Sequence, residues 1–311
     1  MVLFAPLLPV LVFATTRHFT DVKWSLLGTL FIMGQPIFMW SPNYARVVWG
    51  LIFYAFALLI VISNLDNRWK YVLLPLVSTG IVFSHYGTTF CAIFILGITL
   101  IIVGVRWLIK RQQRLTIALF ILLAMLVPMV ALSYAWHYRV NVTPAGYALS
   151  FIKESTDSEQ YSKFTPPPPE MESSGTTEKT IGFWSLESRE FVIQVAFGKT
   201  LSVMSIPRKV IFGVIWLLLL AMTVCLALVL VRRKFNLFSG WMLASYCTVL
   251  LTIVVPYISN YYGISRVFAQ SSIVLVPYAL QGTQGIKRGE WWIWGISLSA
   301  VLLYASLAFN P

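Results

Sequence analysis

Charge is scarce in this sequence. Asp, Glu, Lys and Arg together make up 11% of its 311 residues, where a soluble domain carries about 25%. With 58% hydrophobic residues and a mean hydropathy of +0.78, the chain has too little polar surface to cover itself in water. Its successive long apolar runs read as one helical bundle in lipid rather than as soluble domains. Acids are scarcer still. Eight of the 11 fall between residues 137 and 205, and Asp21, Asp66 and Glu290 stand between apolar runs. Ion-coupled transporters commonly place carboxylates within their spans, so a proton-driven transporter ranks low.

Other absences narrow the chemistry. The three cysteines, Cys91, Cys225 and Cys247, all lie inside apolar runs, which argues against a disulfide framework or a thiolate metal site. No metal-ligand His/Cys spacing, no Gly-rich phosphate loop and no Gly-x-Ser-x-Gly elbow occurs, which disfavours nucleotide hydrolysis. The N-terminal apolar run leads into Arg17-His18 without a small-residue cleavage site, so it reads as a retained helix.

What is present is a series of apolar runs. Spans of about 20 residues are predicted near Val2–Thr16, Trp24–Trp40, Val47–Ser63, Tyr71–Phe83, Thr88–Val105, Leu115–Trp136, Ile206–Val231, Ser239–Ile258, Val267–Gly285 and Trp291–Phe309. The expected fold is therefore an all-α, polytopic transmembrane bundle of about ten spans. It divides into N-terminal transmembrane helices over 1–136, a large loop over 137–205 and C-terminal transmembrane helices over 206–311.

The formal net charge of +12 invites a nucleic-acid partner, but the basic residues sit at the ends of the apolar runs, where they orient helices. Arg17/Lys23, Arg68/Lys70, Arg106/Lys110/Arg111/Arg114, Arg232/Arg233/Lys234 and Lys287/Arg288 alternate onto one side, which the positive-inside rule makes cytoplasmic. Only Arg46 and Arg266 occupy short loops on the other side, with Arg208 and Lys209 beside the long loop. The expected location is the plasma membrane, multi-pass, with 137–205 extracytoplasmic and both termini outside. Because the chain starts almost directly in an outward-facing apolar run, it reads as the C-terminal part of a longer protein.

Within the loop, Glu154 to Ser174 is rich in Ser, Thr, Glu and Pro, including Pro166–Pro169, a composition of mobile extended chain. Phe183, Trp184, Phe191, Val192, Val195 and Ala196 recur at near-helical spacing. That pattern fits a helix in the membrane interface or one packed on the rest of the loop. Asn141-Val142-Thr143 is a glycosylation sequon, but Pro144 and the nearby membrane argue against its use.

The candidate site lies at the outer ends of the spans. Ser84-His85-Tyr86-Gly87 interrupts an apolar stretch from Tyr71 to Val105 that is too long for one span. Such breaks are tolerated where protein or a water-filled cavity satisfies the freed backbone groups. His85 there is placed to hydrogen-bond a pyrophosphate or to act as a general acid or base, or else belongs to a plain polar turn. Arg266, after the aromatic turn Tyr261-Tyr262-Gly263, has the planar fork that suits a phosphate. Lipid-headgroup anchoring is its plainer role. Arg46, Tyr86 and Tyr262 complete the candidate binding set. Trp40, Tyr44, Tyr257, Tyr261 and Tyr262 stand near the outer boundary, where such rings ordinarily anchor helices, with carbohydrate stacking as the alternative; Trp291, Trp292 and Trp294 are belt residues at the inner boundary.

At Phe83-Ser84-His85-Tyr86-Gly87-Thr88-Thr89 and at Tyr261-Tyr262-Gly263-Ile264-Ser265-Arg266-Val267, the chain resembles uncharacterised archaeal multi-spanning membrane proteins, themselves similar to GT-C glycosyltransferases. The resemblance runs from about Tyr71 onward. It implies cell-surface glycosylation: transfer of a sugar from a polyprenyl-phosphate carrier at the outer face, with an acid in an early outer loop as base or ligand to a divalent cation. The early outer loop here, Ser41 to Arg46, contains no acid. The alternative is a non-catalytic membrane protein that binds lipid-linked glycans or assembles with a partner.

Overall fold

A computed structural model describes residues 6–33, 45–136, 235–254 and 264–283. All the regular structure among these residues is helical. In chain order the helices are α1 (Leu7–Arg17), α2 (Val22–Met33), α3 (Ala45–Ile62), α4 (Asn67–Ser84), α5 (Tyr86–Lys110), α6 (Gln113–Ser133), α7 (Leu237–Val254) and α8 (Ile264–Thr283). The runs predicted at Ile206–Val231 and Trp291–Phe309 lie outside the described residues, as does the loop 137–205.

Among the described residues, three helices are long and apolar enough to cross a membrane: α3, α5, and α6 with its extension to Trp136. At about 1.5 Å per residue, the 25 residues of α5 give about 37 Å, enough to clear a hydrocarbon layer of about 30 Å. The outward faces decide how these helices are solvated. On α6, Phe120, Leu123, Val127 and Val130 form one exposed stripe, with Phe120 at 58% and Val127 at 60% exposure. On α5, Ile101, Val105, Leu108 and Ile109 are likewise exposed. In water such a continuous apolar exterior is a liability, whereas in lipid it is the matched surface.

Lipid around such helices would remove the hydrophobic drive between them, leaving close packing and interhelical hydrogen bonds to hold them together. Small residues supply the closeness. A Cβ at Gly80 of α4 would stand 2.7 Å from the Phe53 ring of α3, and one at Gly240 of α7 would stand 2.9 Å from Val103 of α5. Polar contacts supply the rest. Trp241 Nε1 of α7 donates to the Tyr54 hydroxyl of α3 over 2.7 Å, with both rings wholly buried. Buried threonines such as Thr16, Thr99, Thr248 and Thr252 return their hydroxyls to carbonyls one turn back in their own helices. Helix α8 is buried on nearly every side from Val267 to Val276, including Gln270, Ser271 and Ser272, so it is an inner helix of the bundle.

Alternating helix directions sort the charges. Helices α3, α5 and α8 begin at one end of the bundle, where a Cβ on Gly50 of α3 would touch Thr88 of α5 and Gln270 of α8 bonds Thr88. At the other end Lys70 binds the Val61 and Ser63 carbonyls, Arg106 lies over the Phe235 ring at 5.4 Å, and Phe19 stacks on Phe238. That second end collects Arg17, Lys23, Arg68, Lys70, Arg106, Lys110, Arg111 and Arg114. Among the described residues, the first end has only Arg46 and Arg266. The asymmetry expected from loop charges is thus a property of the folded chain.

Candidate functional site

The interruption predicted at Ser84–Gly87 is a helix break only one residue long. Helix α4 ends at Ser84, His85 is extended (φ −161°, ψ 125°), and α5 starts at Tyr86 and runs back. The four N–H groups of a new helix lack intrahelical acceptors. His85 supplies one: its Nδ1 accepts the backbone N–H of Thr88 at 3.2 Å, with the Thr88 hydroxyl at 3.4 Å. An N-cap is ordinarily Ser, Thr, Asp or Asn, and here an imidazole takes that place. Its ring also stacks on Tyr86, centroids 4.8 Å apart and 27° from parallel.

Arg266 comes to the same place from a helix far along the chain. It sits in the first turn of α8, half-buried. A Cβ added to Gly87 would be 3.9 Å from Arg266 Nη1 and 2.9 Å from His85 Cε1. The guanidinium and the imidazole therefore flank one glycine, whose missing side chain makes room for the imidazole. One turn further into α8, buried Gln270 donates Nε2 to the Thr88 carbonyl at 3.2 Å.

Thr88 is the hub of this arrangement. Its N–H is held by His85, its carbonyl by Gln270, and its side chain packs on Gly50 of α3, where a Cβ would come within 2.9 Å of Cγ2. Arg46, one turn before Gly50, is exposed at the same end. His85, Arg266 and Arg46 thus stand near the N-termini of three helices. Each N-terminus carries a partial positive charge of about half a unit, but α2, α4, α6 and α7 finish at this end with the opposite dipole, so what attracts an anion here is the two guanidinium groups. The described carboxylates, Asp21 and Asp66, lie at the opposite end.

Of the residues proposed from sequence, the structure brings His85, Tyr86 and Arg266 together and puts Arg46 at the same end of the bundle. Tyr262 lies outside the described residues. Sequence reasoning missed Gly50, Thr88 and Gln270. Gln270 had a signal: it is a full amide inside an apolar run, one turn from Arg266, and such residues in spans are seldom idle. Among the described residues there is no group of His, Cys, Asp or Glu able to hold a metal ion. Chemically, the cluster offers N–H donors and positive charge to an oxyanion.

No family model matches the chain, and no curated protein or solved structure is significantly similar to it.

Proposed function

We propose that this is a multi-pass membrane protein that binds a polyprenyl-phosphate-linked sugar at the end carrying His85 and Arg266, as a GT-C-like glycosyltransferase or part of one. The observation that carries this reading is the approach of Arg266 Nη1 and the His85 ring to the same face of Gly87. The apolar helices would provide a place for the isoprenoid tail, and Arg266 beside His85 one for its phosphate. The concentration of eight basic residues at the other end supports a cytoplasmic position for that end by the positive-inside rule, and with it an outward-facing site.

In sugar transfer, the lipid phosphate is the leaving group and gathers negative charge as the glycosidic bond breaks. Arg266 and His85 would stabilise that charge in a partly dehydrated setting. The carboxylate or divalent cation of such a reaction has no place among the residues assigned here. One observation favours the alternative, binding without transfer: His85 Nδ1 is occupied as a helix cap, which leaves the ring poorly suited to take up a proton.

The test is functional. Membranes carrying Arg266→Ala should glycosylate a surface acceptor at least about tenfold more slowly than wild type, since a charge-assisted bond is worth roughly 1.5–3 kcal/mol. Transfer at the wild-type rate would remove Arg266 from the reaction.

A further inference from the structure

We infer that the turn between α5 and α6 is a docking surface for anionic phospholipid headgroups, in the leaflet opposite the His85 and Arg266 end. The inference goes beyond the proposed function and does not depend on it.

The turn reaches past its neighbours. Helices α4 and α6 meet at their far ends, where Phe83 and Trp136 pack edge to face with centroids 5.0 Å apart. From that pair, at about 1.5 Å per residue, α4 runs back about 24 Å to its start at Asn67, and α6 about 34 Å to its start at Gln113. The α5–α6 turn therefore overhangs the α3–α4 turn by about 10 Å. Counted down α5 from Tyr86, a hydrocarbon layer of about 30 Å ends near Arg106. Leu108 to Arg114 then fall in the headgroup layer.

Two opposed chemistries share this short stretch. Leu108 and Ile109 are 63% and 71% exposed, and Lys110, Arg111 and Arg114 are exposed beside them. Trp107 Nε1 donates to Thr116 Oγ1 at 3.0 Å, closing the turn while the aliphatic pair stays outside. Arg111 takes the left-handed backbone conformation (φ 44°, ψ 36°) that glycine ordinarily supplies at a helix end. A cation is thus kept where the backbone favours a residue without a side chain. Among the described residues, no hydrogen bond or ion pair engages the side chains of Lys110, Arg111 or Arg114.

Water alone would leave the aliphatic pair unsolvated, and hydrocarbon alone would strand three charges. A headgroup layer accepts both, with the aliphatic chains toward the acyl boundary and the cations among the phosphates. Zwitterionic headgroups carry no net charge. Anionic ones favour each nearby Lys or Arg by about 1 kcal/mol, which is about fivefold.

The experiment uses the full chain with Cys91, Cys225 and Cys247 replaced by Ser and a fluorophore attached at Gln112→Cys. It is reconstituted in phosphatidylcholine vesicles carrying a trace of phospholipid spin-labelled near the glycerol, as either phosphatidylglycerol or phosphatidylcholine. Quenching by the phosphatidylglycerol form should be at least about tenfold more efficient, and high salt should shrink the difference. Lys110→Gln, Arg111→Gln and Arg114→Gln combined should abolish the preference. Lys23→Gln with Arg68→Gln, on other turns of the same end, should keep it, and both variants should unfold at the wild-type temperature. Leu108→Ser with Ile109→Ser should weaken quenching by the two lipids alike.

Equal quenching by the two lipids in wild type, or a preference that survives the triple substitution, would overturn the inference. So would a fluorophore reached by a water-soluble quencher and by neither spin-labelled lipid, which would make the turn a face for a soluble partner.

Discussion

Gln270 and Thr88 join two helices that lie 182 residues apart in sequence, through one buried hydrogen bond of 3.2 Å from the amide Nε2 to the carbonyl. The bond sets the height of α8 against α5, and therefore the height of Arg266 against His85. Interhelical bonds of this kind in membranes are worth about 0.6 kcal/mol on average and up to about 1.7, so Gln270→Leu should cost little stability. Its larger effect should fall on the site. Affinity for a polyprenyl monophosphate should drop several-fold, and a double-mutant cycle with Arg266→Gln should show coupling of about 0.5 kcal/mol or more. Strict additivity would mean that Gln270 does not position Arg266.

Gly87 is required for the space its hydrogen leaves. In Gly87→Ala the methyl would fall 2.9 Å from His85 Cε1, so the imidazole must turn away and release Thr88 N–H. Overpacking of this kind costs about 1–3 kcal/mol. The expected result is a lower unfolding temperature together with weakened lipid-phosphate binding. Full retention of both would show that the ring has room to move.

Lys70 does structural work at the opposite end. Its Nζ donates to the Val61 carbonyl at 2.9 Å and the Ser63 carbonyl at 2.8 Å, where α3 ends. A cation among the last carbonyls of a helix satisfies orphan acceptors and opposes the negative dipole end. Lys70→Met should lower thermal stability by roughly 1–3 kcal/mol and leave lipid-phosphate affinity as it was. A variant as stable as wild type would show that water or another group serves those carbonyls equally well.

The sidedness of the bundle is open to labelling. In a chain whose Cys91, Cys225 and Cys247 are replaced by Ser, an impermeant maleimide applied to intact cells should modify Ser84→Cys. It should reach Arg111→Cys only after the membrane is opened. The reverse pattern would turn the bundle over and put the cationic site inside.

Much of this was legible in the sequence. The apolar run at Val47–Ser63 matches α3 to within a few residues, and the polar break at Ser84–Gly87 is where α4 gives way to α5. The loop charges alone sort Arg46 and Arg266 from the rest. Hydropathy gives α4 as Tyr71–Phe83, shorter than the observed Asn67–Ser84, because its first turn is polar. Lys70 folds back onto α3, which makes a polar turn acceptable there. Helix α5 likewise runs on to Lys110 past the predicted Val105, since Arg106 can lay its charge over the Phe235 ring. Hydropathy gives a helix its solvent but not its neighbours. For that reason the contacts that converge on Thr88, from Gly50 and Gln270, had no sequence signature beyond a glycine and an amide in apolar surroundings.

The most direct test of the central claim is to locate the lipid phosphate itself. A polyprenyl monophosphate with a photoreactive group next to the phosphate, crosslinked to the protein in membranes and mapped by peptide mass, should mark residues 84–88 and 264–270. In Arg266→Gln, these adducts should fall by about tenfold, the loss of one charge-assisted bond. Adducts gathered on the basic turn at 106–114, or adducts at 84–88 and 264–270 indifferent to Arg266→Gln, would contradict the account.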